Sequence, residues 1–149
     1  MLRKAVALAH PGDVLIVDND GFLEAGLWGE IITVAAMQKG IVGLVTNGAV
    51  RDTRQIPDLG FSVFCGGISI KGTTKAAPGK INHPITFEGV IVNPGDIVVG
   101  DNDGLVVIPC AQAETLRGLE KNRKPRSSRR SSKVIRPWIC SALTNLTNA

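Results

Sequence analysis

The sequence predicts an α/β domain, with strands and a helix alternating in its first half and mostly strands in its second. Apolar runs at Val14–Val17 and Ile41–Thr46 have the length and β-branched content of buried strands. Between them, apolar residues at helical spacing predict an amphipathic helix that begins near Trp28 and ends at Lys39-Gly40. A crossover helix of this length between two strands favours parallel pairing with a right-handed connection.

The second half of the chain has the rhythm of a β-sandwich or barrel. Asn47-Gly48 is predicted to end the second strand, and a third strand is expected at Phe61–Cys65, ending at Gly66-Gly67. Beyond Ile68, Gly, Pro and Asn separate a series of short apolar runs. The strands expected there are Ile81–Phe87, Val90–Val92, Ile97–Val99 and Leu105–Ile108, with a helix beginning at Ala111.

The chain of 149 residues has the length of one domain and carries a basic tail. Residues 1–116 hold 8 Lys/Arg against 12 Asp/Glu, whereas residues 117–149 hold 9 against 1. The stretch KNRKPRSSRRSSK has no apolar periodicity, which is typical of disorder. We therefore predict an α/β domain over 1–121 and a poorly ordered, basic Ser/Arg-rich tail over 122–149, in which Val134–Ala149 is apolar enough for a short helix.

Composition excludes several classes of protein. No run of ~18 apolar residues is present to span a membrane, and the apolar segment Ala5–Ala9 is too short for a secretory signal. Three cysteines, Cys65, Cys110 and Cys140, are spaced too widely for a CxxC metal motif or a disulfide framework. A reducing, cytoplasmic location is therefore expected. No G-x-G-x-G follows the first strand, which argues against a methyltransferase.

An eleven-residue pattern occurs twice, as PGDVLIVDNDG at Pro11–Gly21 and as PGDIVVGDNDG at Pro94–Gly104. Its Asp-x-Asp-Gly ending is similar to the opening of a calcium-binding loop. Such a loop needs Glu at its twelfth position, where the first copy has Gly and the second has Gln. Pro-Gly-Asp and Asp-Asn-Asp-Gly are also common turn sequences on either side of a strand. We interpret both copies as turns, with the cation-binding loop as the alternative.

A charged pair follows the second predicted strand, in the sequence TNGAVRDT at Thr46–Thr53. Loops at the carboxyl ends of strands are where α/β folds place their sites. The carboxylate of Asp52 can offer a hard oxygen to a divalent metal, and Arg51 can bind a carboxylate or enolate oxygen through two aligned N–H groups. The alternative is a surface ion pair that caps the segment Asp52–Asp58.

A second candidate is the predicted helix start in GLWGEI, Gly26–Ile31. The free N–H groups of a helix N-terminus bind anions, and Gly29 allows a ligand to approach the backbone closely. Glu30, in the first turn, can orient a water molecule or serve only as a partner of the helix dipole.

Taken together, these motifs identify a family. The motifs G-x-W-G-E from Gly26, G-x-V-R-D from Gly48 and P-G-D-x-V-x-x-D-x-D-G-x-V-V-x-P from Pro94 occur in order. From about Pro11 to Glu114 the chain resembles the RraA-like family. That family includes the 4-hydroxy-4-methyl-2-oxoglutarate and 4-carboxy-4-hydroxy-2-oxoadipate aldolases and the regulator of ribonuclease E activity. The resemblance implies a swivelling β/β/α domain, with a central β-sandwich or barrel and flanking helices, assembled as a homotrimer or hexamer.

The resemblance also assigns roles to residues. It implies that Asp52 binds Mg²⁺ or Mn²⁺ and that Arg51 contacts the pyruvoyl part of a small 2-oxo acid substrate. The backbone of Gly29, Glu30, Ile31 and Ile32 would hold the substrate carboxylate, and Glu30 would support a water molecule on the metal. Lys75 falls near the position of a further substrate-binding lysine.

The resemblance leaves three functions open. The first is a divalent-metal-dependent aldolase that releases pyruvate from 4-hydroxy-2-oxo acids, with oxaloacetate decarboxylation at the same site. The second is a non-catalytic regulator of a ribonuclease E-like partner. Relatives carry a helical region before the position of His10 and a charged helix with a Glu after Glu114, and the departures here favour this alternative. The third is nucleic-acid binding by the basic tail, against which a solubilising role is the alternative.

Overall fold

The computed structural model describes residues 1–73 and 79–113, together with the backbone of 133–139. It contains three α-helices and a 3-10 turn within these ranges: α1 (Leu2–Leu8), α2 (Glu30–Gln38), α3 (Gln55–Asp58) and the turn Cys110–Gln112. The first five strands are β1 (Asp13–Val17), β2 (Gly26–Trp28), β3 (Gly43–Val50), β4 (Ser62–Ile68) and β5 (Ile85–Phe87). The remaining strands are β6 (Val90–Val92), β7 (Ile97–Asp101), β8 (Gly104–Ile108) and β9 (Lys133–Ile139).

Seven of these strands form one mixed sheet in the order β4, β3, β1, β9, β7, β8, with β2 also paired to β3. Strand β3 runs parallel to β1, β2 and β4, which confirms the predicted parallel pairing. The short β2 lies beside the last two residues of β3, because Gly26 pairs with Ala49 and Trp28 with Val50. Strands β5 and β6 form a separate antiparallel pair. The end of β3 is thus flanked by β2 and by β4.

Two apolar clusters pack against the sheet. One contains residues of α1 and α2 with Leu15, Trp28 and Leu44, and the other contains Ile16 and Val45 with residues of β5, β6 and β7. All five residues of β1 are buried. A strand covered on both faces reads as a continuous apolar run, which is why the sequence predicts β1 well.

The second helix begins two residues later than predicted. Trp28 lies in β2 and is fully buried, so its apolar character reflects packing in a strand and not the helix face. Gly29 is extended, with φ −159° and ψ −174°, and α2 starts at Glu30. Tertiary pairing with β3 therefore overrides the helical spacing at Trp28.

The prediction that Asn47-Gly48 ends the second strand is wrong, because β3 continues to Val50. The Asn47 side chain accepts the Asn19 N–H at 2.8 Å and donates to the Asp18 carboxylate at 2.8 Å. A Cβ on Gly48 would lie 2.6 Å from the Asn19 side-chain nitrogen. The turn-like residues thus hold the loop after β1 against the strand. Similarly, β4 continues through Gly66-Gly67 to Ile68.

Other boundaries also differ from the predictions. The run Ile81–Phe87 contributes only Ile85–Phe87 as a strand, and the helix α1 was not expected. The backbone at Lys133–Ile139 is a strand between β1 and β7, where a short helix was expected. The rest of the predicted tail and most of the helix predicted from Ala111 lie outside the described residues. The boundary at 121/122 stays a prediction. No helix in the part of the chain that the structure describes is long and apolar enough to cross a membrane.

The two Pro-Gly-Asp segments form the same turn, as predicted. The Asp13 carboxylate accepts the His10 N–H at 2.7 Å, and the Asp96 carboxylate accepts the Asn93 N–H at 2.7 Å. Burial raises the pKa of the Asp13 carboxyl, although the His10 N–H and the nearby imidazole act in the opposite direction. Both carboxylates therefore face the backbone in poorly hydrated positions, where they stabilise turns.

The two Asp-Asn-Asp-Gly segments are also turns. Asp18 accepts the Asp20 N–H at 3.1 Å, and Asp101 accepts the Asp103 N–H at 2.9 Å. Within the described residues, no three His, Cys, Asp or Glu side chains come together as potential metal ligands. The alternative of two cation-binding loops has no support in this geometry.

We expect Asp96→Ala to destabilise the fold. Asp96 is 3% exposed, and its two carboxylate oxygens accept the N–H groups of Asn93 and Cys110. The loss of these acceptors should lower the free energy of unfolding by about 1–3 kcal/mol, measured by urea denaturation. The exposed Asp58→Ala control should change it by less than about 0.5 kcal/mol. Equal losses in the two variants would contradict a special role for Asp96.

Candidate functional site

The end of β3 brings the predicted charged pair next to the predicted helix start. Arg51 and Asp52 follow the last residue of β3, and β2 leads directly into Gly29 and α2. The Arg51 N–H donates to the Trp28 carbonyl at 2.8 Å, which fixes the two segments side by side. Five predicted residues therefore lie close together at the carboxyl end of β3: Gly29, Glu30, Ile31, Arg51 and Asp52.

The Asp52 carboxylate caps α2 from a distant part of the chain. Its Oδ2 atom accepts the Glu30 N–H at 2.9 Å, and the side chain remains 36% exposed. The Asp52 backbone has φ 57°, in the left-handed region that Asp tolerates better than most residues. The Asp52 carbonyl accepts the Ile56 N–H at 3.1 Å and thereby begins the turn that leads into α3.

Arg51 is anchored at one end of its guanidinium. Its Nη1 atom donates to the Gly26 carbonyl at 3.2 Å, and its Nε atom lies 3.8 Å from Asp52 Oδ2. The side chain is 34% exposed, so the ion pair is screened by water and contributes little to stability. The surface ion pair considered from the sequence is thus present, but it joins the start of α2 and does not cap α3. Both side chains keep a solvent-facing part that a ligand can reach.

Gly29 is the residue that lets the pair approach the helix. A Cβ at this position would lie 2.5 Å from Asp52 Oδ2 and 2.8 Å from Arg51 Nε. Gly29 is extended, so the requirement for glycine comes from space and not from backbone conformation. The space above Gly29 is therefore occupied by the Arg51 and Asp52 side chains, and the approach of a ligand to this backbone stays a prediction.

The remaining predicted residues of the first turn differ in their surroundings. The Glu30 N–H donates to the Asp52 carboxylate. The first intrahelical hydrogen bond runs from the Thr33 N–H to the Gly29 carbonyl, so the N–H groups of Ile31 and Ile32 lie in the turn that precedes it. Ile31 is 81% exposed, and Ile32 packs against the core. Lys75 lies in 74–78, outside the described residues.

The donor set at Asp52 fits a hard divalent ion. Within the described residues, it offers one exposed carboxylate and no cluster of three ligating side chains. Mg²⁺ keeps several water ligands and is bound through one or two carboxylates together with substrate oxygens. A soft or fully protein-coordinated metal would need more side-chain ligands, so Asp52 could hold a hard divalent ion only together with water or substrate oxygens.

Two residues near the site were not predicted as functional from the sequence. The Gly26 carbonyl holds Arg51, and the Thr33 hydroxyl donates to the Gly29 carbonyl at 3.0 Å. A signal for Thr33 was present, because Thr on the buried face of a helix often bonds the carbonyl four residues earlier. No sequence signal indicates which carbonyl Arg51 would meet.

A cavity of ≈ 470 Å³ lies elsewhere on the sheet, at the first residues of β3. Its lining includes Gly43, Val45, Phe64 and Leu105, and it contains none of the predicted site residues. Asp101 is a charged side chain in this lining, and it is already engaged in a turn. The carboxyl end of β3, at Arg51 and Asp52, is the better candidate for the functional site because it combines a cation, a carboxylate and a helix start.

Comparisons with known proteins show what the chain is similar to. The protein-family model described as "RraA-like: Aldolase/RraA" matches residues 1–107. The chain is 41% identical over 121 residues to a "Putative 4-hydroxy-4-methyl-2-oxoglutarate aldolase" of Halalkalibacterium halodurans; the match covers 81% of this chain and 57% of that protein. The chain thus spans little more than half the length of this relative.

Two solved structures are similar in fold. One is Streptomyces coelicolor RraAS2, described as an unusual member of the RNase ES inhibitor RraA protein family; it has a TM-score of 0.74 and 30% identity, over 82% of this chain and 63% of that one. The other is the RNA-processing inhibitor RraA from Thermus thermophilis, with a TM-score of 0.69 and 30% identity, over 89% of this chain and 72% of that one.

Proposed function

Because the chain belongs to the RraA-like family and has its swivelling β/β/α fold, we propose that it is a divalent-metal-dependent lyase. Its substrates would be 4-hydroxy-2-oxo acids such as 4-hydroxy-4-methyl-2-oxoglutarate, from which it would release pyruvate. The observation that carries the proposal is the contact of Arg51 and Asp52 with the start of α2, in space that Gly29 leaves open.

Asp52 is the residue that would hold the divalent ion, through the exposed part of its carboxylate. When bound, Mg²⁺ or Mn²⁺ supplies Lewis-acid stabilisation of the negative charge that develops on the 2-oxo oxygen. The hydrogen bond from the Glu30 N–H to Oδ2 keeps the carboxylate in one orientation.

Arg51 and the first turn of α2 would bind the pyruvoyl end of the substrate. The guanidinium, fixed by the Gly26 carbonyl, is a positive group at a defined place, and preorganised charge is commonly the largest catalytic term. The N–H groups of Ile31 and Ile32 are donors to which a substrate carboxylate can bind. These groups would act together on the carboxylate and 2-oxo oxygens of the pyruvoyl end.

The reaction needs one proton to be removed from the 4-hydroxyl group. As that proton leaves, C4 becomes a carbonyl, the bond between C3 and C4 breaks, and its electron pair forms the enolate of pyruvate. Glu30, in the first turn of α2, would take the proton, directly or through water. Protonation of the enolate at C3 then gives pyruvate. Decarboxylation of oxaloacetate forms the same enolate, so the same residues would serve it.

The proposal is tested by measuring pyruvate. The purified protein is incubated with Mg²⁺ or Mn²⁺ and 4-hydroxy-4-methyl-2-oxoglutarate or oxaloacetate, and pyruvate is coupled to lactate dehydrogenase. We expect formation that depends on both protein and metal and that EDTA removes. Reactions with metal alone correct for spontaneous decarboxylation. A folded protein that forms no pyruvate above this background with either substrate would rule the proposal out.

The second candidate is a non-catalytic regulator of a ribonuclease E-type partner. It is favoured by the similarity to two structures described as RNase ES and RNA-processing inhibitors. A binding measurement against a ribonuclease E catalytic domain tests it, with inhibition of RNA cleavage as the expected result. Nucleic-acid binding by the tail stays a prediction, because residues 122–132 and 140–149 lie outside the described part.

A homotrimer or hexamer is proposed as the assembly. The outer face of α2 exposes Ile31, Val34 and Met37, at 81%, 38% and 39% of their surface. Contiguous exposed apolar residues next to a site are typical of an interaction surface. Light scattering of the purified protein tests the assembly, and a monomer at micromolar concentration would contradict it.

A further inference from the structure

Two linked, buried hydrogen bonds lie directly beneath the start of α2. The Trp28 indole N–H donates to the Thr33 hydroxyl oxygen at 2.7 Å, and that hydroxyl donates to the Gly29 carbonyl at 3.0 Å. Trp28 and Thr33 are both 0% exposed. The indole ring is stacked on Phe61, with centroids 6.0 Å apart and planes 9° apart. The indole N–H of Trp28, the first donor of the two bonds, is therefore fixed by packing.

The chain of hydrogen bonds defines the direction of the Thr33 hydroxyl. The Thr33 hydroxyl oxygen accepts the indole N–H with one of its lone pairs. Its hydrogen therefore points away from the indole and is donated to the Gly29 carbonyl. The Thr33 backbone N–H donates to the same carbonyl at 3.0 Å. Two donors from one residue thus converge on one oxygen atom.

That carbonyl belongs to the same peptide group as the N–H that reaches Asp52. The bond between Gly29 and Glu30 is planar and trans, so its C=O and N–H point in opposite directions. Fixing the carbonyl on the buried side therefore fixes the direction of the Glu30 N–H on the exposed side. The Glu30 N–H meets Asp52 Oδ2 at 2.9 Å.

We propose that Thr33 is a positioning residue for Asp52, which acts through the Gly29–Glu30 peptide plane with Trp28 as its fixed donor. Thr33 touches neither substrate nor metal. Its effect on catalysis rests on the proposed function, whereas its effect on the Glu30 N–H does not.

The test compares Thr33→Val, which keeps the shape and removes the hydroxyl, with Thr33→Ser, which keeps the hydroxyl. Amide hydrogen exchange at Glu30, followed by NMR, should become about tenfold faster in Thr33→Val, the effect of losing one hydrogen bond. The kcat for pyruvate release should fall by a similar factor while KM changes less. In Thr33→Ser both values should stay within about twofold of the wild type. If Thr33→Val does not fold, Trp28→Phe removes the indole N–H instead, and faster exchange at Glu30 is again the expected result; unchanged exchange in this variant would overturn the proposal.

The control is Ile16→Val, a buried change in the other apolar cluster that should alter neither quantity. Unchanged exchange at Glu30 in Thr33→Val would overturn the proposal. So would a loss of kcat in Thr33→Ser equal to that in Thr33→Val, because it would show that only the packing volume matters. If the wild type forms no pyruvate, the proposed function fails, and the exchange rates alone decide the role of Thr33.

Discussion

Asp52→Asn is expected to fold normally and to lose about a thousandfold in kcat/KM for pyruvate release, the upper range for removing one group that stabilises developing charge. Asparagine tolerates the left-handed backbone at φ 57°, and its amide oxygen can still accept the Glu30 N–H. Alanine is a poorer choice because it would be strained at this φ and would also remove the cap. The neutral amide, in contrast, is a weak ligand for Mg²⁺ or Mn²⁺. Activity and Mn²⁺ binding by calorimetry should therefore fall together, without a large change in the urea midpoint.

The matched control is Asp101→Asn, in the second copy of the repeated turn. Asp101 is an exposed carboxylate that accepts a local N–H in its turn, so its loss should leave kcat/KM within about twofold. Full activity in Asp52→Asn would remove Asp52 from the metal site. If Asp101→Asn lost kcat/KM and Asp52→Asn retained it, the metal would be held by the Asp-rich turn at Asp101 and not by Asp52.

Gly29→Ala is expected to have the second-largest effect, about a hundredfold in kcat/KM, because a shift of reacting groups by about 1 Å costs this much. The added Cβ would stand 2.5 Å from Asp52 Oδ2 and 2.9 Å from Arg51 Cγ, so both side chains must move. The backbone of Gly29 is extended and accepts alanine without strain. The two displaced side chains are about one third exposed and can swing into solvent, so the free energy of unfolding should fall only by the loss of the Asp52 cap, about 1 kcal/mol.

Gly72→Ala is the control for Gly29→Ala. Among the residues that the structure describes, a Cβ at Gly72 would meet no atom within 4 Å, so kcat/KM and the urea midpoint should both stay at wild-type values. Gly29→Ala tests the site only if kcat/KM falls strongly while the urea midpoint changes little. A large fall in the urea midpoint would indicate that Gly29 matters for folding, and an unchanged kcat/KM would show that Arg51 and Asp52 need not hold their observed positions.

The sequence predicts those parts of the fold that depend on local pattern. The strand at Val14–Val17 is recognisable because burial on both faces requires an unbroken apolar run. The pair Arg51-Asp52 can be placed at the end of a strand because β3 precedes it directly. Local turn chemistry likewise predicts the repeated Pro-Gly-Asp turns, since each Asp carboxylate accepts the N–H of the residue three positions earlier.

Features that depend on distant partners could not be predicted in the same way. Asn47-Gly48 has the composition of a turn, yet side-chain bonds to Asp18 and Asn19 keep it in β3. The cap on α2 comes from a residue 22 positions away, and no spacing rule indicates it. Trp28 has helical spacing, but strand pairing with Val50 decides its conformation. In each case a long-range contact outweighs a weak local preference.

The left-handed backbone at Asp52 also restricts how this position can change during evolution. Only glycine, asparagine and aspartate adopt that conformation readily, so substitution by most other residues costs folding free energy before chemistry is considered. Of the three, only aspartate carries a charge. A related protein that keeps the fold but binds no metal can thus carry asparagine or glycine at this position with little loss of folding free energy. Among related sequences, the residue at this one position should therefore separate candidate enzymes from candidate binding proteins.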